Sequence, residues 1–212
     1  MRKGKTVLLL SGIILGLAGC GQKETADISS VSVEKDGTIT HQIVGVFEQN
    51  YYDTDSLEEL AADRIEEYCE DNSEGAVSLL LMEQEDNKVS LSLQYASPED
   101  YSGFNNRTLY VGTLEEAKEQ DYDLEKIAFI STKNEPEELG AIEEPDQKQI
   151  VIIATKAGEE LLVNTYGKVL YINQSADSGM EVSLDGKKCV HIVNPASEED
   201  AGQESLSYII FE

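Results

Sequence analysis

Apolar and polar positions alternate along most of this chain, and in one long stretch the period lengthens to that of a helix. Ser29 to Val46 alternates on both sides of Asp36-Gly37. That dipeptide marks a hairpin whose central residues take positive φ, so strands are predicted at Ser30–Glu34 and Thr38–Val46. From Ser56 to Asp71 the residues Leu57, Leu60, Ala61, Ile65, Tyr68 and Cys69 recur at i, i+3 and i+4 and share one helical face. Ser56 with Glu59 has the form of a capping box, and Asp55 is the alternative N-cap; Glu58 and Glu59 suit the positive end of the helix dipole. Ala76–Gln84 and Lys88–Ala96 form a second hairpin across Glu85-Asp86-Asn87. There Val89, Leu91 and Leu93 alternate with Ser90, Ser92 and Gln94, which predicts one buried face and one wet face. Ser97–Arg107 reads as a polar loop and Thr108–Gly112 as a short strand. Thr113-Leu114-Glu115-Glu116 opens a brief helix with its own capping box, and Lys126–Ser131 returns as a strand.

Thr132 to Gln149 breaks the pattern with Pro136, Pro145 and six acidic residues, and reads as an exposed loop or lobe boundary. Beyond it only strands are predicted: Ile150–Thr155, Glu160–Thr165, Lys168–Asn173, Glu181–Leu184, Lys187–Val193 and Ser205–Phe211. Turns at Ala157-Gly158, Tyr166-Gly167, Ser178-Gly179 and Asp185-Gly186 separate them. The expected fold class is therefore α+β: antiparallel β-hairpins with one main amphipathic helix, then an all-β C-terminal lobe, sandwich-like or a curved sheet. The natural parse is an α+β lobe over 28–131 and a β lobe over 149–212, with one continuous domain as the alternative. His41-Gln42-Ile43-Val44 and His191-Ile192-Val193 follow the two Asp-Gly turns in a loose echo, too short to count as a repeat.

The first twenty residues obey a different pattern. Arg2, Lys3 and Lys5 precede an apolar run from Thr6 to Gly19. Its length, about 14 residues against the roughly 20 of a spanning helix, describes a secretory signal peptide over 1–19. Leu17-Ala18-Gly19-Cys20 resembles the lipobox of bacterial lipoproteins. That resemblance implies that the Cys20 thiol receives a diacylglyceryl group and that cleavage falls just before it, leaving 20–27 as a lipidated tether. Two acyl chains, at roughly 0.8 kcal/mol per buried methylene, give stable anchoring, so the membrane is an expected partner through Cys20.

Charge then narrows the other partners. Removal of the leader leaves 13 basic residues against 42 acidic ones, a net of −29. Nucleic-acid binders neutralise phosphates with Lys and Arg, and no basic stripe exists here, so nucleic acid is excluded as a partner. The same repulsion disfavours adhesion to anionic lipid head groups.

Candidate chemistry is sparse. Cys69 and Cys189 are either a disulfide, which export permits, or two buried thiols. Cys189 and His191 share one face of a predicted strand and could form a Cys-His dyad, but no third ligand or base stands at a recognisable spacing. Paired carboxylates could serve a glycosidase, yet with 42 of them chance pairs abound. Asp53-Thr54-Asp55 and Glu83 to Asp86 offer oxygen ligands for calcium but lack the pattern of an EF-hand loop. No metal site, cofactor motif or catalytic residue is predicted. Tyr51 and Tyr52 before the helix, with Tyr101 and Phe104 in the loop Ser97–Arg107, are the candidate binding surface, because exposed aromatics anchor partners; packing down over lobe edges is their other fate.

His41-Gln42-Ile43-Val44, Tyr51-Tyr52-Asp53 with Leu57-Glu58-Glu59-Leu60, and Gly112-Thr113-Leu114-Glu115-Glu116-Ala117 with Tyr122-Asp123 resemble small lipoproteins of Gram-positive gut bacteria. The resemblance implies no activity and no functional residues, since that group has none assigned. The expectation is a lipid-anchored protein facing outside the cytoplasm, with a non-enzymatic binding or accessory role toward an unknown envelope ligand or protein. The alternative is a carboxylate-dependent hydrolase of wall or glycan material. A transporter's substrate-binding component is disfavoured, because alternating βα units are missing.

Overall fold

The computed structural model describes residues 27–47, 53–120, 122, 124–132, 136, 137, 142, 144, 147–173, 179–196 and 204–212. In the first part of the chain lie β1 (Ser29–Val33), β2 (Ile39–Val46), α1 (Thr54–Asp71), β3 (Val77–Glu85), β4 (Lys88–Tyr95), α2 (Pro98–Asn105), β5 (Leu109–Thr113) and α3 (Leu114–Glu119). A 3-10 turn at Leu124–Lys126 leads to β6 (Phe129–Ser131) and β7 (Pro136–Glu137). The rest is all-β: β8 (Gln149–Lys156), β9 (Glu160–Thr165), β10 (Val169–Asn173), β11 (Glu181–Leu184), β12 (Cys189–Val193) and β13 (Glu204–Phe211). The fold is thus mixed, with helices confined to the first part and a C-terminal part of strands alone.

Two sheets carry these strands, in the orders β11-β12-β9-β1-β2-β4-β3 and β5-β8-β13-β10-β6-β7. Pairing is antiparallel apart from β1 against β9, which run parallel from Ser29↔Leu161 to Val33↔Thr165. The lobes expected at 28–131 and 149–212 do not match these sheets. The pairs β1–β9, β5–β8 and β6–β10 all join the two sides of that boundary, so the continuous arrangement describes the pairing. Either half alone would leave strands with unpaired edges.

One face of each sheet contributes to a shared cluster: Val31, Ile39, Leu93, Val163 and Ile192 from the first, Val151, Ile153, Ile209 and Phe211 from the second. The six-stranded sheet has a second buried face, where Ile150, Ile152, Tyr208 and Ile210 meet Leu114, Ala117 and Leu124. Strands covered on both sides read as continuous apolar runs, which explains Ile150–Ala154 and Tyr208–Phe211. The outward face of the seven-stranded sheet carries hydroxyls and amides instead, with Asn164 Nδ2 donating to Ser32 Oγ at 3.2 Å and Gln42 Nε2 to Ser90 Oγ at 3.3 Å.

Several local expectations are corrected. Helix α1 begins at Thr54, and its N-cap is Asp53: one carboxylate oxygen accepts from Ser56 N at 2.8 Å and the other from Ser56 Oγ at 2.9 Å. A carboxylate satisfies both donors at once, where Ser56 or Asp55 as cap satisfies fewer. Only Ile65, Tyr68 and Cys69 of its apolar face pack against the core, and Leu60 is 65% exposed. In the Asp36-Gly37 hairpin Gly37 alone takes positive φ, +90°, because Lys35 joins the turn and makes a three-residue loop. Lys126–Ser131 is strand only from Phe129. The segment Ser97–Arg107 is not a loop: Ser97 caps α2 by accepting from Asp100 N at 3.1 Å, and Pro98 occupies the first turn.

The disulfide is ruled out by topology. Cys69 packs beside β3, its Sγ donating to Val77 O at 3.6 Å, whereas Cys189 lies on β12. Five strand spacings separate β3 from β12, or about 24 Å at roughly 4.8 Å each, and both thiols are free.

Gly167 explains how the chain end is held. A Cβ there would meet the Glu212 carbonyl carbon at 2.7 Å and Phe211 Cδ2 at 2.9 Å. The Glu212 backbone cannot swing aside, since it exchanges hydrogen bonds with Lys168 at 2.7 and 3.0 Å. Gly167→Ala is expected to destabilise the fold by about 1–3 kcal/mol, measurable as a lower urea midpoint at unchanged m-value.

Candidate functional site

A cleft of about 260 Å³ opens where four separate stretches of chain meet. Strand β2 supplies His41, on the inward side of the pleat that also carries Ile39. Helix α2 supplies Tyr101 and Asn105, one turn apart on a shared face. Beyond α2, Asn106 takes the left-handed conformation (φ +49°) and ends the helix, so that Arg107 turns back with its N–H on Ser102 O at 3.1 Å. The turn between β8 and β9 supplies Glu159; Gly158 there has φ +86°, and its N–H donates to Asn194 O at 2.8 Å.

Arg107 and Glu159 make a bidentate pair, Nη2 to Oε1 at 2.8 Å and Nη1 to Oε2 at 3.0 Å. Glu159 Oε2 also accepts from Lys156 N at 2.8 Å, so the turn fixes the carboxylate and the carboxylate fixes the guanidinium. Such a fork is among the stronger side-chain contacts. A further donor of the guanidinium, Arg107 Nε, is buried without a partner among the described residues.

His41 lies beside this pair and is 8% exposed. Its ring stacks at a tilt on Tyr101, centroids 5.3 Å apart, and its Nδ1 also has no partner among the described residues. Burial, aided by the Arg107 charge and opposed by Glu159, holds the imidazole down to a pKa of about 4. The ring is therefore neutral near pH 7, with one N–H and one lone pair to offer. Burial likewise pushes the Tyr101 phenol above its ordinary value.

Of the aromatics expected to form a binding surface, Tyr51 and Tyr52 lie outside the described residues, as does Cys20. Phe104 does not present itself to a partner. It is 8% exposed and sits edge-on to Tyr68 and Tyr95, with the Arg64 guanidinium over its ring at 4.9 Å. Tyr101 is 1% exposed and edge-on to Tyr95, yet it lines the inner wall of the cleft. Both face inward because α2 is a helix, which turns positions i and i+3 to the same side.

The remaining candidates separate. His191 pairs with Glu160 at 2.7 Å. Burial, and secondarily Asp185, pushes the Cys189 thiol up to about 11, which keeps it protonated and unsuited to nucleophilic attack. Asp53 is spent on its helix cap, and among the described residues no group of three or more His, Cys, Asp and Glu side chains is placed to hold a metal ion. Carboxylates do border the cleft, but Glu159 is committed to Arg107 and Glu160 to His191.

Compared with protein-family models, curated proteins and solved structures, the chain matches none of them.

Arg107, Asn105, Glu159 and the role of His41 went unread in the sequence. One signal was available: Ser97-Pro98-Glu99-Asp100 is an N-cap, a proline at the first helical position and acidic residues in the first turn. Asn106 supplies a residue tolerant of left-handed geometry at the other end. Reading α2 there would have turned Tyr101 inward and brought Arg107 back toward the sheets.

Proposed function

We propose that this chain is a lipid-anchored protein of the bacterial envelope, tethered at Cys20 outside the cytoplasm, which works by binding at the His41–Arg107 cleft and not by catalysis. The observation that carries the binding half is the pair of buried polar atoms, His41 Nδ1 and Arg107 Nε, unpartnered among the described residues and belonging to two residues that line one concavity. An unpaired buried donor or acceptor costs about 1–3 kcal/mol, a cost that a ligand with matching groups removes. The anchoring half rests on Arg2, Lys3 and Lys5, the short apolar run and Leu17-Ala18-Gly19-Cys20. In this reading the finer architecture is a sandwich of two stacked sheets, with the tether leading into β1.

The anchor has a direct test. In Cys20→Ala the full chain is expected to leave the membrane fraction or keep its leader, and its mass loses the acyl groups. A protein that stays membrane-bound with an unchanged mass sinks this half of the proposal.

A further inference from the structure

The geometry points to a neutral, hydroxyl-bearing ligand, a single sugar ring or the end of a glycan, as the occupant of the cleft between β2, α2 and the β8–β9 turn. This rests on the cleft being a binding site and adds the class of ligand it takes.

Anion recognition is what an arginine in a cleft first suggests, and the hydrogen bonds argue against it. Both Nη atoms of Arg107 already donate to Glu159, at 3.0 and 2.8 Å. That carboxylate offsets the guanidinium charge, so a carboxylate or phosphate would meet a neutral pair and not a free cation. Glu160 stands on the same wall, and the chain as a whole carries a net charge of −26, so an anion would enter against the field. A cation would be drawn by that field, but the two carboxylates lining the cleft, Glu159 and Glu160, are already held by Arg107 and His191. Among the described residues no group of three ligands stands ready for a metal ion.

What the cleft leaves unpartnered among the described residues is an N–H donor, Arg107 Nε, and an imidazole nitrogen, His41 Nδ1. A hydroxyl accepts and donates at once, so the hydroxyls of one ring can accept from the guanidinium N–H and pair with the imidazole nitrogen in either tautomer. Ser29 Oγ accepts from Val44 N at 3.0 Å and keeps its own O–H to offer at the mouth. Tyr101, Ile43 and Leu161 give part of the lining an apolar character that suits the C–H face of a sugar ring. The volume, about 260 Å³, falls just below the roughly 300–1,000 Å³ of drug-sized pockets, which limits the buried part to one ring.

The chain has two histidines, His41 and His191, so imidazole NMR signals report on the cleft with an internal control. The full purified chain would be titrated with N-acetylglucosamine, glucose and galactose as neutral probes, glucuronate and glucose 6-phosphate as anionic ones, and glucosamine as the cationic one. Each would be taken to about 10 mM, enough to fill a millimolar site. Expected is a saturable movement of the His41 signals with at least one neutral sugar and none at His191. Ser29→Trp, which blocks the half-buried mouth, should weaken that response at least tenfold while leaving the melting temperature close to the parent's. Movement of His41 with a charged sugar alone overturns the ligand class and spares the binding cleft. No movement of His41 with any probe overturns both.

Discussion

A chain lacking Glu204–Glu212 is expected not to fold, showing an unfolded backbone spectrum and no cooperative melt. Strand β13 is the last element, where a terminal segment is usually the most dispensable, but here it lies between β8 and β10. It pairs with β8 along its whole length, from Glu204↔Lys156 to Phe211↔Gln149. Its side chains serve both cores, Ile209 and Phe211 facing the seven-stranded sheet, Tyr208 and Ile210 facing α3. Ile209, Ile210 and Phe211 are fully buried. At about 1.5–3 kcal/mol each, those three alone are worth as much as the whole stability of many domains, about 5–15 kcal/mol. Ile209→Val, which removes one methylene, should cost only about 1 kcal/mol and still melt cooperatively. A truncated chain that melts cooperatively would show that β13 is peripheral.

Acid should destabilise the protein through His41 in a definite window. The folded-state pKa is held at about 4, below the 6.5 of an exposed histidine. Above pH 6.5 the ring is neutral in both states and contributes no pH dependence. As pH falls from 6.5 to 4 only the unfolded chain gains the proton, so stability is lost across that interval, and the loss is complete below 4. A tenfold change in proton affinity is about 1.4 kcal/mol, which makes the full loss about 3 kcal/mol. Other groups titrate toward the acid end, so the measurement is a difference: unfolding free energy against pH for the parent and for His41→Phe. The parent curve should fall more steeply between pH 6.5 and 4, with Arg107, Glu159 and Tyr101 still facing the ring in both proteins. Parallel curves would mean that the imidazole is solvated.

Strands were legible where one face is wet and the other dry. Val89-Ser90-Leu91-Ser92-Leu93 announces β4 because each side chain sees one of two solvents, and Glu160–Thr165 and Glu181–Leu184 begin and end as their sequences predict. The start of helix α3 was legible because its capping box is a local contact: Thr113 Oγ1 accepts from Glu116 N, and Glu116 accepts from Thr113 N. Strand pairing across the segment 132–149 was illegible for the opposite reason. Strand β1 finds its partner β9 more than a hundred residues away, and nothing in Ser29–Val33 names Leu161–Thr165. The same distance hid the cleft. His41, Arg107 and Glu159 lie in unrelated stretches, and each alone is an ordinary residue of a strand end or turn. Helix α1 was legible from its apolar face, of which Ile65, Tyr68 and Cys69 pack against the core and only Leu60 stands exposed.

The parallel pairing of β1 with β9 has a consequence for how the molecule comes into being. A chain that emerges N-terminus first can close the β1–β2 and β3–β4 hairpins early, because their loops are short. The other edge of β1 stays open until the partner of Ser29, Leu161, has been made, and the second sheet waits longer still, for Phe211. Contacts this remote in sequence fold slowly. Until Glu204–Phe211 appear the molecule is a set of hairpins with bare edges, and its acidic side chains, repelling their counterparts on neighbouring chains, are what keep those edges apart.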